Sequence, residues 1–306
     1  QPQHRTGPKL ATSAKISRVT PAVALIAPSY SSGKIFTWLD TNRVYVVAAV
    51  AVVSMMLAIL LRANRWKLAA VVTLALVLIR MYPSDDGRLE TVRSFFGVHK
   101  IEVTPNGQYH VLMHGTTIHG AQRLRKDDGT PAEGPPTPLT YYYPGGPLAE
   151  AIGATRVAHG GLGHVAVVGL GTGSLACHRK AGEAWTFFEI DPVVIRMARD
   201  PRLFTFLSGC TPDAPVVVGD ARLTLEAAPD RYDLIVLDAF SSDSIPVHLL
   251  TREALAGYLS KLSPRGVIVA HISNRHLDLA PVVANVARSQ GLVSFLREDD
   301  RAGDFM

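Results

Sequence analysis

The sequence predicts an α/β protein in which helices flank a parallel sheet. An antiparallel β region precedes this sheet, and an apolar helical hairpin comes before both. From residue 164 onward, short apolar runs alternate with helical segments, the pattern typical of a parallel sheet covered on both faces. Residues 98–120 alternate apolar and polar side chains around an Asn-Gly dipeptide, which predicts a β-hairpin. Residues 44–61 contain no formal charge.

The apolar part of the N-terminal region consists of two runs, a longer one at 44–61 and a shorter one at 68–79. The first run is long enough to cross the hydrocarbon core of a bilayer, and the second would need its flanking basic residues to snorkel. We therefore expect a polar segment at residues 1–42 and a transmembrane helical hairpin at residues 43–82, in contact with the lipid bilayer. The alternative is a pair of buried core helices, although such helices are rarely apolar on every face.

Residues 83–150 are predicted to form the small antiparallel β region and a linker. The motifs VHKIEV and YHVLMH flank the Pro-Asn-Gly turn. Residues 126–138 are too polar to build a core and form either a solvated loop or a lid. The motif TYYYPGG at residues 140–146 could line the mouth of a pocket or pack in the core.

Residues 151–306 are predicted to form the nucleoside-binding catalytic domain. Its expected strands are 165–169, 185–190, 215–219, 233–238, 266–272 and 292–296. Its expected helices are about 173–181, 192–199, 221–228, 248–261 and 278–289. In such a sheet, ligands bind at the carboxyl ends of the strands.

A glycine-rich turn follows the first of these strands. Gly169, Gly171 and Gly173 would let the backbone approach a ligand closely and pack the next helix against the strand. Glu189 ends the second strand, where a carboxylate can accept hydrogen bonds from both ribose hydroxyls. The order of strand, turn, helix, strand and acid predicts a nucleoside-binding unit.

Acids also follow the third and fourth strands. Asp220 could bond an adenine amino group while the amide of Ala221 meets a ring nitrogen. Asp238 and Asp243 would face a positively charged sulfur centre and an incoming amine. Alternatively, Asp220 and Asp238 could cap the helices that follow them.

The charge distribution favours a cationic substrate. The net charge is +9 over residues 1–100 and −5 over residues 185–245. The basic region suits anionic lipid headgroups, and the acidic region would attract a cation. No aromatic residues interleave a basic stripe, which argues against nucleic-acid binding.

Neither the histidines nor the cysteines indicate a metal site. His110 and His114 share one face of the predicted hairpin near His119, but no acidic or cysteine partner completes a shell. Cys177 and Cys210 lie far apart in the sequence, in a predicted helix and a predicted loop, so we expect no disulfide and a reducing compartment.

Two histidines, His271 and His276, follow the fifth strand in the motif HISNRH. They could contact substrate or belong to the surface. Serine catalysis is not indicated, because GTGSL lacks the G-x-S-x-G pattern.

Over about residues 93–297 the chain resembles the spermidine synthase (polyamine aminopropyltransferase) family, in particular its membrane-bound members. The matching motifs are VVGLGTGS, FFEIDP, VVVGDA, YDLIVLDAFSSDSIP followed by HLLT, and LSPRGVIVAHIS. The resemblance implies a Rossmann-like methyltransferase fold and a role in polyamine biosynthesis. It implies decarboxylated S-adenosylmethionine as aminopropyl donor, putrescine or a similar small cationic amine as acceptor, and no metal. We also expect a cytosolic catalytic domain, because the donor is made there, and a homodimer.

The chain departs from the family at several positions. Thr172 stands where the family has an acid that holds the donor's aminopropyl ammonium. Alignment on Asp238 places Ser241 at the family's second acid, with Asp243 just beyond it. TYYYPGG replaces the family's Tyr-His-Glu element, and Gln122 corresponds to its donor-contacting glutamine. We expect Asp243, or Asp238 itself, to deprotonate and hold the amine, with Ser241 beside them.

Three functions stay in competition at the level of the sequence. The first is a membrane-anchored aminopropyltransferase. The second is a methyltransferase that uses intact S-adenosylmethionine, since Thr172 removes the ammonium-binding acid. The third is a nucleoside-binding module without catalysis.

Overall fold

The computed structural model describes residues 43–81, 87–115, 117–240, 246–273 and 277–299. The helices are α1 (Arg43–Leu60), α2 (Arg65–Met81), α3 (Pro147–His159), α4 (Pro192–Arg199), α5 (Phe206–Cys210), α6 (Ala221–Ala227), α7 (Arg252–Ser260) and α8 (Ala280–Ser289). The strands are β1 (Arg88–Arg93), β2 (Val98–Val103), β3 (Tyr109–His114), β4 (Thr117–Arg123), β5 (His164–Val168), β6 (Ala184–Glu189), β7 (Val216–Val218), β8 (Tyr232–Leu237) and β9 (Leu262–Ala270). Short 3-10 turns cover Thr140–Tyr142, Ser174–His178 and Val247–Leu249. The polar segment expected at 1–42 lies outside the described residues.

Helices α1 and α2 form at the predicted positions and contact each other. Within the described ranges, however, no helix combines the length and the apolar character needed to cross a membrane. The predicted transmembrane hairpin is therefore not supported. The alternative of buried core helices also fails, because Met55 and Leu60 are 67% and 70% exposed.

The antiparallel β region is a four-stranded meander in the order β1-β2-β3-β4. The turn at Asn106–Gly107 joins β2 to β3, as the Asn-Gly dipeptide predicts, and Gly107 has a positive φ of 69°. The register places His99 opposite His114. One face of this sheet therefore carries histidines from neighbouring strands.

The second sheet has the order β7-β6-β5-β8-β9, and all its neighbouring strands pair in parallel. Strand β5 is central, and the chain runs outward from it first to one side and then to the other. This doubly wound order confirms the predicted Rossmann-like α/β fold. It creates a switch point at the carboxyl edge beside β5, where ligands bind in such sheets.

Hydrophobic packing joins the two sheets. Ile101 and Leu112 of the antiparallel sheet contact Met197 of α4, together with Phe204 and Phe206, and all five side chains are nearly inaccessible to solvent. Burial of aromatic and long aliphatic side chains is the main source of such stability. The antiparallel sheet is thereby held over the carboxyl edge of the parallel sheet.

Three features of this part of the chain differ from the prediction. No strand forms at 292–296, where Val293 and Phe295 are 81% and 94% exposed, because a short apolar run does not by itself determine a strand. The helix expected at 173–181 is only a 3-10 turn. The sequence prediction also missed α3, which begins with Pro147, a residue favoured at the first helical position.

A disulfide joins Cys177 to Cys210, with their Cα atoms 5.0 Å apart. It connects the 3-10 turn after the glycine loop to the last residue of α5. The expectation of no disulfide is therefore wrong. The sequence separation gave no indication of it, because the approach of the two cysteines depends on how α5 packs beside the turn.

Reduction of this disulfide is expected to lower the free energy of unfolding by about 2 to 4 kcal/mol, because the bond closes a loop with a sequence separation of 33. Urea denaturation followed by circular dichroism, with and without dithiothreitol, measures this change. The double variant Cys177→Ala/Cys210→Ala is the control and should not respond to dithiothreitol. Equal midpoints for the oxidised and reduced wild-type protein would contradict the prediction.

Candidate nucleoside-binding site

One cavity of about 300 Å³ lies at the carboxyl edge of the parallel sheet, beneath the antiparallel sheet. Its volume is at the lower end of the range for small-molecule sites. The ends of β5, β6 and β8, and the segment after β7, all contribute to its lining. The predicted site residues that line the cavity are Gly169, Gly171, Glu189, Asp220, Ala221 and Asp238.

The glycine loop follows β5 and packs so tightly that side chains cannot be accommodated. Gly169 has a φ of 97°, and a Cβ there would lie 2.2 Å from the carbonyl oxygen of Asp238. Gly171 has a φ of 53°, and its Cβ would lie 2.8 Å from the carbonyl oxygen of His119. Both positions therefore require glycine. Gly173 instead packs against Leu207 and does not line the cavity.

Glu189 ends β6 and is 9% exposed. Its Oε2 accepts a hydrogen bond from the Leu170 amide at 3.0 Å, and its Oε1 accepts one from the Asp191 amide at 2.9 Å. Burial raises the pKa of Glu189 despite these backbone donors. Because each carboxylate oxygen has two acceptor sites, both oxygens can still accept the hydroxyl groups of a ribose.

Asp220 both caps a helix and lines the cavity. Its Oδ1 accepts a hydrogen bond from the Arg222 amide at 2.9 Å, the geometry of an N-cap for α6. Its Oδ2 lies 3.7 Å from Nε2 of His248, on the far wall of the same cavity. The neighbouring Ala221 is buried and also lines the cavity. The capping alternative is therefore correct for Asp220, and it does not remove the carboxylate from the site.

Asp238 follows β8, and among the described residues its carboxylate accepts from side chains and caps no helix. Only 2% of its side chain is exposed. Its Oδ1 accepts a hydrogen bond from Nδ1 of His271 at 2.7 Å, and its Oδ2 accepts one from the hydroxyl of Tyr142. The hydroxyl groups of Tyr141 and Tyr142 are 2.8 Å apart. Burial, and then the charge of Asp238, hold the pKa of Tyr142 well above its ordinary value, so this hydroxyl stays protonated.

The sequence left open whether the tyrosines of TYYYPGG line a pocket or pack in the core, and the structure shows both. Tyr142 is 4% exposed and lines the cavity. Tyr143 is equally buried, and its hydroxyl donates to Asp299. Thr140 begins this turn with a positive φ of 56°, which is unusual for a residue other than glycine. Such backbone strain is common where side chains are held for function.

Three histidines that the sequence did not assign to the nucleoside site form another wall of the cavity. They are His99, His114 and His119, and the ring centroids of successive pairs are 4.5 and 5.5 Å apart. Burial, and then the neighbouring His99, lower the pKa of His114, which favours its neutral form. His110, predicted to lie with His114, instead donates to the carbonyl oxygen of Leu203 at 2.8 Å. In the described segments, no group of three His, Cys, Asp or Glu residues could hold a metal ion.

Asp191 links this histidine wall to the parallel sheet. Its Oδ2 accepts hydrogen bonds from Nε2 of His99 at 2.8 Å and from the hydroxyl of Ser94 at 2.5 Å, while its Oδ1 caps α4. Burial acts to raise the pKa of Asp191, but these hydrogen bonds outweigh burial and lower it. The position of Asp191 directly before α4 could have indicated the helix cap from the sequence. No sequence pattern could have indicated its contact with His99.

Two predicted positions lie beside the cavity without lining it. Both ends of the Gln122 amide are bonded to Thr205, at 2.8 and 2.7 Å. The predicted donor contact of Gln122 is therefore not supported, because its amide connects the antiparallel sheet to the segment before α5. Thr172 is 1% exposed and packs against Gly120, and its hydroxyl has no hydrogen-bond partner among the described residues.

Three residues singled out from the sequence fall outside the part of the chain that the structure describes. They are Ser241, Asp243 and His276. The roles expected for Ser241 and Asp243 therefore stay predictions.

The fold and this cavity define a Rossmann-like α/β protein with the features of a nucleoside-binding site. No family model matches the chain. A polyamine aminopropyltransferase of Vibrio vulnificus (strain CMCP6) is 39% identical over 113 residues, which cover 35% of this chain and 36% of that protein. An N-terminal histidine N-methyltransferase of Emericella nidulans is 29% identical over 201 residues, which cover 60% of this chain and 34% of that protein.

The chain thus matches only about a third of the length of these curated relatives. It is similar to a polyamine aminopropyltransferase over part of its own length. Among solved structures, spermidine synthase from Thermotoga maritima is 16% identical, with a TM-score of 0.46, and the match covers 66% of this chain and 62% of that one.

Substitutions at Glu189 and Asp220 are expected to weaken nucleoside binding by roughly 10- to 100-fold each, the range expected for loss of hydrogen bonds to a charged group. Isothermal titration with 5′-methylthioadenosine measures this for Glu189→Gln and Asp220→Ala. Unchanged affinity in both variants would contradict the assignment.

A matched pair of variants separates binding from helix capping at Asp220. Asp220→Ala should also lose about 1 kcal/mol of stability, because the cap of α6 is removed. Asp220→Ser keeps a capping oxygen and should retain stability in urea denaturation while still binding the nucleoside weakly. If Asp220→Ser bound normally, the carboxylate would have no role beyond the cap.

Proposed function

We propose that the chain is the nucleoside-binding part of an aminopropyltransferase of the spermidine synthase type. It would transfer the aminopropyl group of decarboxylated S-adenosylmethionine to putrescine or a similar small cationic amine. The observation that carries this proposal is the convergence of the glycine loop, Glu189, Asp220 and Asp238 on one cavity. The partial similarity to a polyamine aminopropyltransferase supports it.

The residues present fit an adenosyl sulfonium. Glu189 can hold the ribose hydroxyls, and Asp220 with the amide of Ala221 can hold the adenine. The glycine loop allows the ligand to approach the backbone at Gly169 and Gly171. Asp238 supplies a buried negative charge beside the loop, where it would attract a positively charged sulfur.

The reaction requires that the amine be held in line with the carbon bonded to sulfur and that the amine lose a proton. The lone pair of a neutral amine attacks the carbon bonded to sulfur, the carbon–sulfur bond breaks, and its electron pair stays on sulfur as a neutral thioether. Holding both substrates in line accounts for much of the rate acceleration over the uncatalysed reaction. The ammonium form of the acceptor must lose a proton before or during the attack.

A methyltransferase that uses intact S-adenosylmethionine is the second candidate, and Thr172 favours it. This side chain is buried against Gly120 and carries no charge where the resemblance implies an ammonium-binding acid. The partial similarity to a histidine N-methyltransferase points in the same direction.

A product assay distinguishes the candidates. We expect purified protein, incubated with either donor and several diamines, to form an aminopropylated amine from the decarboxylated donor, detected by mass spectrometry. A methylated amine formed only from the intact donor would support the second candidate. Donor binding by calorimetry without any product would contradict both and indicate a binding module.

Asp243 is expected to hold the cationic acceptor, as the resemblance implies for the acid beside this position. Asp243→Asn should raise KM for the diamine by roughly 10- to 100-fold, because a hydrogen bond to a charged group is lost. Donor affinity should stay unchanged. Asp213→Asn, which alters an exposed aspartate, is the control. An unchanged KM in Asp243→Asn would reject this role.

A further inference from the structure

The buried carboxylate of Asp238 is poorly placed to take a proton from substrate. Both of its oxygens already accept hydrogen bonds, Oδ1 from His271 and Oδ2 from Tyr142. Only 2% of its side chain is exposed. A carboxylate that already accepts from two fixed donors is suited to orienting them, which favours that role over a role as base.

His271 is held in a defined orientation next to this carboxylate. It directly follows β9, and its amide donates to the carbonyl oxygen of Leu237 at 2.9 Å, which continues the pairing with β8. Its ring lies between Tyr141 and Phe240, with centroid distances of 4.3 and 4.7 Å. Phe240 and Asp238 both line the cavity, so the imidazole lies directly behind two of its lining residues.

The contact with Asp238 also determines which nitrogen of His271 is basic. Because an ionised carboxylate only accepts hydrogen bonds, Nδ1 of the imidazole must carry a proton. In the neutral ring, Nε2 then holds the free lone pair. Within the described residues Nε2 has no hydrogen-bond partner, and 14% of the side chain is exposed. Nε2 is therefore the ring nitrogen that can accept a proton.

We propose that His271 is the proton acceptor of the transfer reaction and that Asp238 orients it. The inference deepens the proposed function and rests on it. As the amine nitrogen bonds to carbon and the carbon–sulfur pair moves to sulfur, the ammonium proton passes to Nε2 of His271. The imidazolium formed is stabilised by Asp238 and later releases its proton to water. An acid that orients a histidine in this way is a recurrent arrangement in catalysis.

Tyr141 and Tyr142 act in this arrangement as positioning residues. The hydroxyl of Tyr142 donates to one oxygen of Asp238 and His271 donates to the other, so the two contacts together fix the orientation of the carboxylate. The ring of Tyr141 packs against the imidazole. Burial, and then the charge of Asp238, raise the pKa of Tyr141 well above its ordinary value. Its hydroxyl therefore stays protonated and does not compete with His271 for the proton.

The variant His271→Asn tests the role of Nε2 separately from the contact with Asp238. The amide nitrogen of asparagine can replace Nδ1 as donor to Asp238, but no base remains at the position of Nε2. We expect kcat to fall by at least about 100-fold, the usual contribution of a general base. Affinity for 5′-methylthioadenosine and KM for the diamine should change by less than about threefold, since only a transition-state interaction is lost.

Chemical rescue supplies a readout that a structural role would not give. Imidazole added to His271→Ala should restore part of kcat, whereas the similarly sized but far less basic 1,2,4-triazole should not. His164→Asn changes an exposed histidine at the opposite edge of the sheet and should retain full activity.

Two results would overturn the assignment of His271. One is a kcat for His271→Asn within a few-fold of the wild-type value, and the other is equal rescue of His271→Ala by both azoles. A wild-type protein that forms no product from either donor would instead contradict the proposed function, and the role of His271 would fall with it.

Discussion

The site depends on one buried charge, the carboxylate of Asp238. Burying an ionised carboxylate without partners is very costly, so it must be paired and hydrogen-bonded. Its partners come from two other segments, the Thr140–Tyr142 turn and the residue after β9. The backbone of the same residue packs against the glycine loop, since Gly169 lies close to the carbonyl oxygen of Asp238. Satisfying this single group therefore brings together the loop that would hold the donor and the histidine that would take the proton.

A second set of contacts attaches the antiparallel sheet, which covers the cavity, to the parallel sheet. Asp191 caps α4 and at the same time binds His99 and Ser94 of the antiparallel region. Ile101 and Leu112 of the same sheet also pack against Met197 of α4. The antiparallel sheet is therefore attached to the parallel sheet by both buried hydrogen bonds and apolar packing. This double attachment keeps the histidine wall over the ends of the strands.

The parallel sheet and the acids at its edge could be predicted from the sequence, because they depend on local patterns. Glu189 follows a strand that is apolar over its last residues, and Asp220 follows another, so a parallel sheet must bring both to one edge. The contacts between distant segments could not be predicted in this way. Tyr142 and Asp238 are 96 residues apart in the sequence, His99 and Asp191 are 92 apart, and no periodic pattern links them. The disulfide was missed for the same reason, and the strand expected at 292–296 did not form because a short apolar run does not by itself determine a strand.

The charge balance of the cavity explains how one acid could serve the whole reaction. Before transfer the positive charge lies on sulfur, and afterwards it lies on the amine nitrogen or on the proton it has released. The side chain of Thr172 carries no charge to compensate this movement, and it is buried against Gly120. In the proposed reaction Asp238 would interact with the sulfonium through the cavity and with the released proton through His271, so its charge would remain compensated as the positive charge moves. A fixed negative group that interacts with developing charge lowers the barrier without reorganising solvent. The thioether product would lack the positive charge through which Asp238 attracts the sulfonium. The product would therefore bind more weakly than the donor, which favours its release.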